Sequence, residues 1–314
     1  MLLFLGRRLL IIIPVVLVVT FLVFTLIALA PGDAATQLAG DTATKEQVAA
    51  IRSELHLDRP FLEQYWDWVS HAAQGDFGDS YVTKEPVVDS ILDAAPVTLS
   101  LGLVSLVMAV GMGVALGTVG ALRPRGIVDR GVTALSSVML AVPAFWLALV
   151  LVLLFAVQNP IFPSIGYAPL LQDGPYEWLR HLILPSFALA VSGAATIALQ
   201  LKAALVAEDG SDYLLAARAK GLTRNTLLFK HSFKNAAVPV VTILGFRVAT
   251  LLGGTIIIET IFVLPGLGLL AQQAALQQDV PMLLGIVTFS AVFILVINVL
   301  VDASYGYLNP KLRV

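Results

Sequence analysis

Cysteine is absent from this 314-residue chain, which excludes a disulfide framework, a thiolate metal site and a thiol nucleophile. Charge is scarce. Only 13% of the residues are Asp, Glu, Lys or Arg, against about 25% in a soluble domain. No G-x-x-x-x-G-K-[ST] occurs, so the chain does not bind ATP through a P-loop, and the glycines of GMGVALG (111–117) lack the lysine and fall inside an apolar run. H-E-x-x-H and G-x-S-x-G are missing too. The histidines at 56, 71, 181 and 231 lack ligand spacing, and Ser186 and Ser192 have only His181 near them in sequence. The chain therefore reads as a non-enzyme, with no catalytic, metal-binding or cofactor-binding residue of its own. A net charge of −2 argues against a nucleic-acid partner, which needs a basic stripe.

What is present is apolar. Hydrophobic residues make up 58% of the chain, too many to face water, so the chain belongs in contact with membrane lipid. A helix needs about 20 mostly apolar residues to cross the hydrocarbon layer. Six runs qualify, near 9–29, 97–122, 131–157, 179–202, 237–259 and 282–304. Each is continuously apolar rather than alternating, so helices are expected. Gly113 and Gly117 form a small-xxx-small pair, which either lets two helices approach closely or reflects only how common glycine is in membrane helices. The first run imitates a signal peptide, with Arg7 and Arg8 before it and Ala28-Leu29-Ala30 after. It exceeds the usual apolar length of such a peptide, and Pro31 opposes cleavage, so a retained anchor is expected.

Lys and Arg alternate between loops. Arg7 and Arg8, then Arg123, Arg125 and Arg130, then Lys202, Arg218, Lys220, Arg224, Lys230 and Lys234, and finally Lys311 and Arg313 mark one side. Residues 158–178 and 260–281 carry no Lys or Arg, and residues 30–95 carry four against twelve acids. Both termini should be cytoplasmic. In the long outer loop, TKEQVAAIRSEL reads as a helix with a Thr44–Gln47 capping box and with Val48, Ile51 and Leu55 on one face. FLEQYWDWV (61–69) places Phe61, Tyr65 and Trp68 near one face. Such an element either covers the spans or touches a partner. Few ionisable groups lie within spans: Arg247, Glu259 at an outer end and Asp302 near an inner end. That sparsity disfavours an ion-coupled carrier. Arg247 and Asn298 read as packing or helix–helix hydrogen bonds, and lining residues of a pathway are not assigned.

One cytoplasmic segment is charged yet helix-prone: DYLLAARAKGL, from Asp212. Asp212 can cap a helix start, Arg218 and Lys220 suit its end, Ala216, Ala217 and Ala219 favour helix, and Gly221 is placed to stop it. On the residues alone this is either a docking surface or a plain surface helix. AARAKGLTRNTLLFKHSFKNAAVPVV closely resembles the cytoplasmic loop of permease subunits of bacterial ABC importers, in the dipeptide/oligopeptide/nickel branch. The matching residues are Ala217–Leu222, His231, Asn235-Ala236 and Pro239-Val240. In the more general motif, Leu215, Ala216 and Ala217 stand at the E-A-A positions. APGD (30–33), LDRPFLEQYWDW (57–68), GDFGDS (75–80), VPAFWLALVLVLLF (142–155), RHLILPSFALA (180–190), IIETIFVLPGLGLL (257–270) and DASYGYLNPKLR (302–313) resemble the first, B-type permease subunit of that branch. Leu269, where the family usually has a basic residue, and Gln278 before Asp279 depart from its pattern.

The resemblance implies an all-α integral membrane protein with six transmembrane helices and the type I ABC importer permease fold. It implies an amino-terminal transmembrane helix at 1–30, an extracytoplasmic loop with a small helical element at 31–93, a transmembrane domain at 94–304 with a coupling-helix loop at about 203–236, and a cytoplasmic tail at 305–314. Tyr213, Ala216, Ala217, Arg218, Lys220, Gly221 and Leu222 would dock on the ATPase subunit. The implied partners are a homologous second permease, ATPase subunits that hold ATP and Mg, an extracytoplasmic solute-binding protein, a di- or oligopeptide and membrane lipid, in the bacterial inner membrane. A nickel or other small-solute importer of the same branch and an ATP-independent carrier or channel are the alternatives.

Overall fold

The structure, a computed structural model, describes residues 2–29, 34–40, 43–208, 211–223, 226–227, 232–233 and 253–308. Among these residues the regular elements are helices, and the strand-like pairing is an isolated bridge between Asp79 and Pro86. The helices are α1 (Leu2–Leu29), α2 (Ala34–Ala39), α3 (Lys45–Glu54), α4 (Phe61–Ala72), α5 (Val87–Leu122), α6 (Ile127–Ala141), α7 (Ala144–Val152), α8 (Leu170–Glu208) and α9 (Asp212–Ala219). They are followed by α10 (Gly253–Phe262), α11 (Leu267–Leu276) and α12 (Val280–Leu308).

Three described helices, α5, α8 and α12, are long and apolar enough to cross a membrane; counting the pairs α6–α7 and α10–α11 as one broken span each gives up to five. Most of the run expected at 237–259, with Arg247, lies outside the described residues, as do His231, Asn235-Ala236 and Pro239-Val240. The run expected as one span at 131–157 is bent by 92° between α6 and α7. Pro143 is the cause. It forces Val142 out of helical geometry (ψ 119°) and caps the start of α7. Past α7 the backbone loosens into a π-helical turn, Leu153–Gln158.

The chain folds as two compact units, residues 1–98 with 265–299, and residues 99–264 with 300–314. In the first, the capping box at Thr44 opens α3 as the sequence predicts: Gln47 N–H donates to Thr44 Oγ1 and Thr44 N–H to Gln47 Oε1. Val48, Ile51 and Leu55 are half-buried on one face of that helix. Helix α4 turns Phe61, Tyr65 and Trp68 inward, with Phe61 and Tyr65 meeting the rings of Phe21 and Phe24 on α1. Tyr65, 3% exposed, donates its hydroxyl to the Leu17 carbonyl at 2.8 Å. This element thus covers one side of the apolar helix α1. A second core joins Val87, Ile91, Ala94 and Ala95 of α5 to Leu267 and Ala274 of α11 and Met282 and Ile286 of α12.

In the second unit, α5 and α8 meet along a glycine seam. A Cβ on Gly113 would stand 2.7 Å from Ile197 Cβ, and one on Gly117 would stand 2.8 Å from the Ala198 carbonyl oxygen. The sequence pair is thus a true close approach, which Gly120 extends against Lys202. Lys202 on α8 reaches α6, with Nζ 2.6 Å from Asp129 Oδ1 and 2.7 Å from Thr133 Oγ1. Helix α8 begins at Leu170, ahead of the expected 179, breaks at Gly174 (φ 81°) and restarts at Pro175.

Candidate functional site

The segment singled out in the sequence folds as a short helix. Ser211, not Asp212, takes the extended N-cap conformation; Asp212 stands in the first turn and Arg218 in the last, each opposing the local end of the helix dipole. The end is a Schellman motif. Gly221 has φ +83°, its N–H donates to the Arg218 carbonyl at 2.9 Å, and Leu222 N–H donates to the Ala217 carbonyl at 3.4 Å. A glycine is favoured there because the left-handed region costs other residues about 1–2 kcal/mol.

Leu214 anchors this helix with no exposed surface, a residue that the sequence reading passed over. Its signal was only an apolar position one turn into a polar helix. Tyr213 donates its hydroxyl to Glu208 at the end of α8 while its ring stays 43% exposed. Ala216, Arg218, Lys220, Gly221 and Leu222 are exposed and Ala217 half-buried. All seven residues expected to dock thus sit on or just after α9, and six are exposed. Further along the same loop, Phe233 packs against the α5–α8 core that includes Leu201 and Leu205.

A second polar centre lies in the other unit. Asp279, 2% exposed, opens α12. It accepts the Ser80 hydroxyl at 2.5 Å, the Tyr81 N–H at 3.1 Å and the Met282 N–H at 3.4 Å. Burial, and then the Asp279 charge, push the Tyr81 phenol up to about 12. The GDFGDS stretch and the Gln278-Asp279 pair, separate features in the sequence, are one hydrogen-bonded knot. Gln278 holds φ +53° just past α11.

Residues 109–314 match the family model described as the binding-protein-dependent transport system inner membrane component, and residues 1–102 match its N-terminal companion. The chain belongs to this family. It is a multi-pass permease component, all-helical among its described residues. A putative peptide transport system permease protein of Brucella abortus (strain 2308) is 40% identical over 301 residues, 96% of each chain. The oligopeptide transport system permease protein AppB of Bacillus subtilis (strain 168) is 35% identical over 309 residues, 98% of each. Among solved structures, a chain of the MetNI methionine ABC transporter in an inward-facing conformation superposes with a TM-score of 0.58 at 19% identity, covering 70% of this chain and 96% of that one. The permease therefore has the type I ABC importer permease fold expected from its sequence.

Proposed function

We propose that this chain is one of two permease subunits of an ATP-driven importer of di- or oligopeptides, set in the bacterial inner membrane with both termini cytoplasmic. The single observation that carries the coupling is α9: a short, small-residue helix, glycine-capped, anchored by buried Leu214 and exposed at Tyr213, Ala216 and Arg218. The relatives named for peptide and oligopeptide transport support the substrate class. ATP and Mg are held by separate ATPase subunits, and a solute-binding protein delivers the peptide to the outer mouth. When the ATPase subunits close, they push on α9. The Tyr213–Glu208 hydrogen bond and the Lys202–Asp129 bridge pass that push from α9 into α8 and from α8 into α6. The spans then switch access as rigid bodies.

Replacing Gly221 with Trp tests this reading. It forces a bulky side chain into a left-handed backbone position on the docking surface. Peptide uptake should fall at least about tenfold, the size of a 1.4 kcal/mol loss of coupling, while the chain stays in the membrane. Normal uptake by the variant would overturn the docking role. Uptake that persists in energised vesicles depleted of ATP would replace the importer with a carrier or channel.

A further inference from the structure

Helix α5 carries no charged residue between Asp93 and Arg123. At 1.5 Å per residue, positions 94–122 measure about 43 Å, which matches a bilayer with both headgroup layers. The chain then turns back within Arg123–Gly126 and enters α6. So short a turn cannot lift its side chains out of the headgroup layer.

Three exposed arginines crowd there: Arg123, Arg125 and Arg130. The acid of the turn, Asp129, is already engaged, accepting Lys202 Nζ at 2.6 Å and the Arg125 N–H at 2.8 Å. Among the described residues, Arg123 and Arg125 make no ion pair. Between them and Arg130 stands Ile127, 90% exposed and the most exposed isoleucine among the described residues, with Val128 45% exposed beside it. Ile127 and Arg130 lie three apart on α6, on one face of the helix. A guanidinium cluster around a bare aliphatic side chain, held at the headgroup layer, is complementary to one kind of surface.

We propose that the α5–α6 turn is a binding site for anionic phospholipid. Arg123 and Arg125 take the headgroup phosphate through paired N–H donors. Ile127 and Val128 enter the acyl region below it, and Arg130 closes the site from the first turn of α6. The inference needs only that α5 and α6 lie in a bilayer, so it stands or falls separately from the transport reading.

The absence of cysteine makes the test direct. Ile127→Cys, labelled with an environment-sensitive fluorophore, is placed in nanodiscs of phosphatidylcholine with and without phosphatidylglycerol. The label should be shielded from a neutral aqueous quencher such as acrylamide, which an anionic surface does not repel, and more so when phosphatidylglycerol is present. In parallel, phosphatidylglycerol retained by the full chain through detergent exchange is measured by mass spectrometry. Arg123→Gln with Arg125→Gln should lower it by about tenfold or more relative to phosphatidylcholine, since each arginine near an anionic surface contributes about fivefold, and high salt should weaken retention in the unsubstituted chain. Unchanged retention in the double variant would overturn the proposal. So would a label open to the neutral quencher in every lipid and shielded only when ATPase subunits are added, which would make the turn a protein-docking surface instead.

Discussion

At the scale of single residues, left-handed helix caps show what a sequence reveals. Gly221 closes α9 in the left-handed region, and because it is glycine the stop was readable in advance. His56, Val263 and Gln278 close α3, α10 and α11 with the same pair of backward hydrogen bonds and φ values of 55°, 50° and 53°. Of these only His56 is a residue type enriched in such a conformation, and Val263 is β-branched, where it is least at ease. Asp279 was noted only as the neighbour of Gln278, where the chain departs from the family pattern. Its role depends on Ser80, 199 positions away, and no local spacing encodes that. The Tyr81 phenol follows from the same knot. Its folded value is raised from the usual 10 to about 12, so the fold favours the neutral form. The stability this supplies is complete below pH 10 and is lost as pH rises from 10 to 12. Ultraviolet phenolate absorbance, taken as the difference from Tyr81→Phe, should show a midpoint near 12. Asp279→Asn should lower that midpoint without returning it to 10, because burial is the larger cause. A midpoint unmoved by Asp279→Asn would show that the carboxylate does not face the phenol.

At the scale of elements, apolar length was a good guide to which segments are helical and a poor guide to where they bend. The second, fourth and sixth runs lie inside α5, α8 and α12. The third reads as unbroken because every side chain around Val142-Pro143 is apolar, yet the proline removes an N–H and disfavours helical geometry before it, a preference realised here at Val142 but overridden at Pro96 in α5 and Pro185 in α8. Helix pairing was legible where backbones touch. Gly113 and Gly111 are neighbours on α5 with opposite surroundings: a Cβ at 113 collides with Ile197 and Ala194, while one at 111 meets nothing within 4 Å. Gly113→Ala should therefore destabilise the chain by about 1–3 kcal/mol through overpacking. Gly111→Ala should be neutral or stabilising by up to about 1 kcal/mol, since alanine favours helix. Thermal unfolding in detergent of the two single variants compares them directly. Equal effects would mean that α5 and α8 do not meet along this seam.

At the scale of the whole molecule, the charge alternation of the loops predicts a topology that single cysteines can test, because the chain supplies none of its own. Gln172→Cys, exposed before the break at Gly174, should react with a membrane-impermeant maleimide from outside intact cells. Tyr213→Cys on α9 should react only after the cytoplasmic face is opened. The reverse pattern would invert the protein and remove the docking reading with it. The order of family resemblance along the chain was readable throughout, but the packing units were not, since residues 265–299 join residues 1–98 by contacts that no local pattern announces. The two family-matched segments, 1–102 and 109–314, meet inside the single helix α5. A shortened protein that began with the later segment would lose Val87, Ile91, Ala94 and Ala95. It would bare the faces of α11 and α12 that those side chains cover, including Gly285, whose place is fitted against Val87. Ancestry divides this chain in two, but its autonomy as a folding body does not follow that seam: neither inherited piece is a domain that could be moved to another protein by itself.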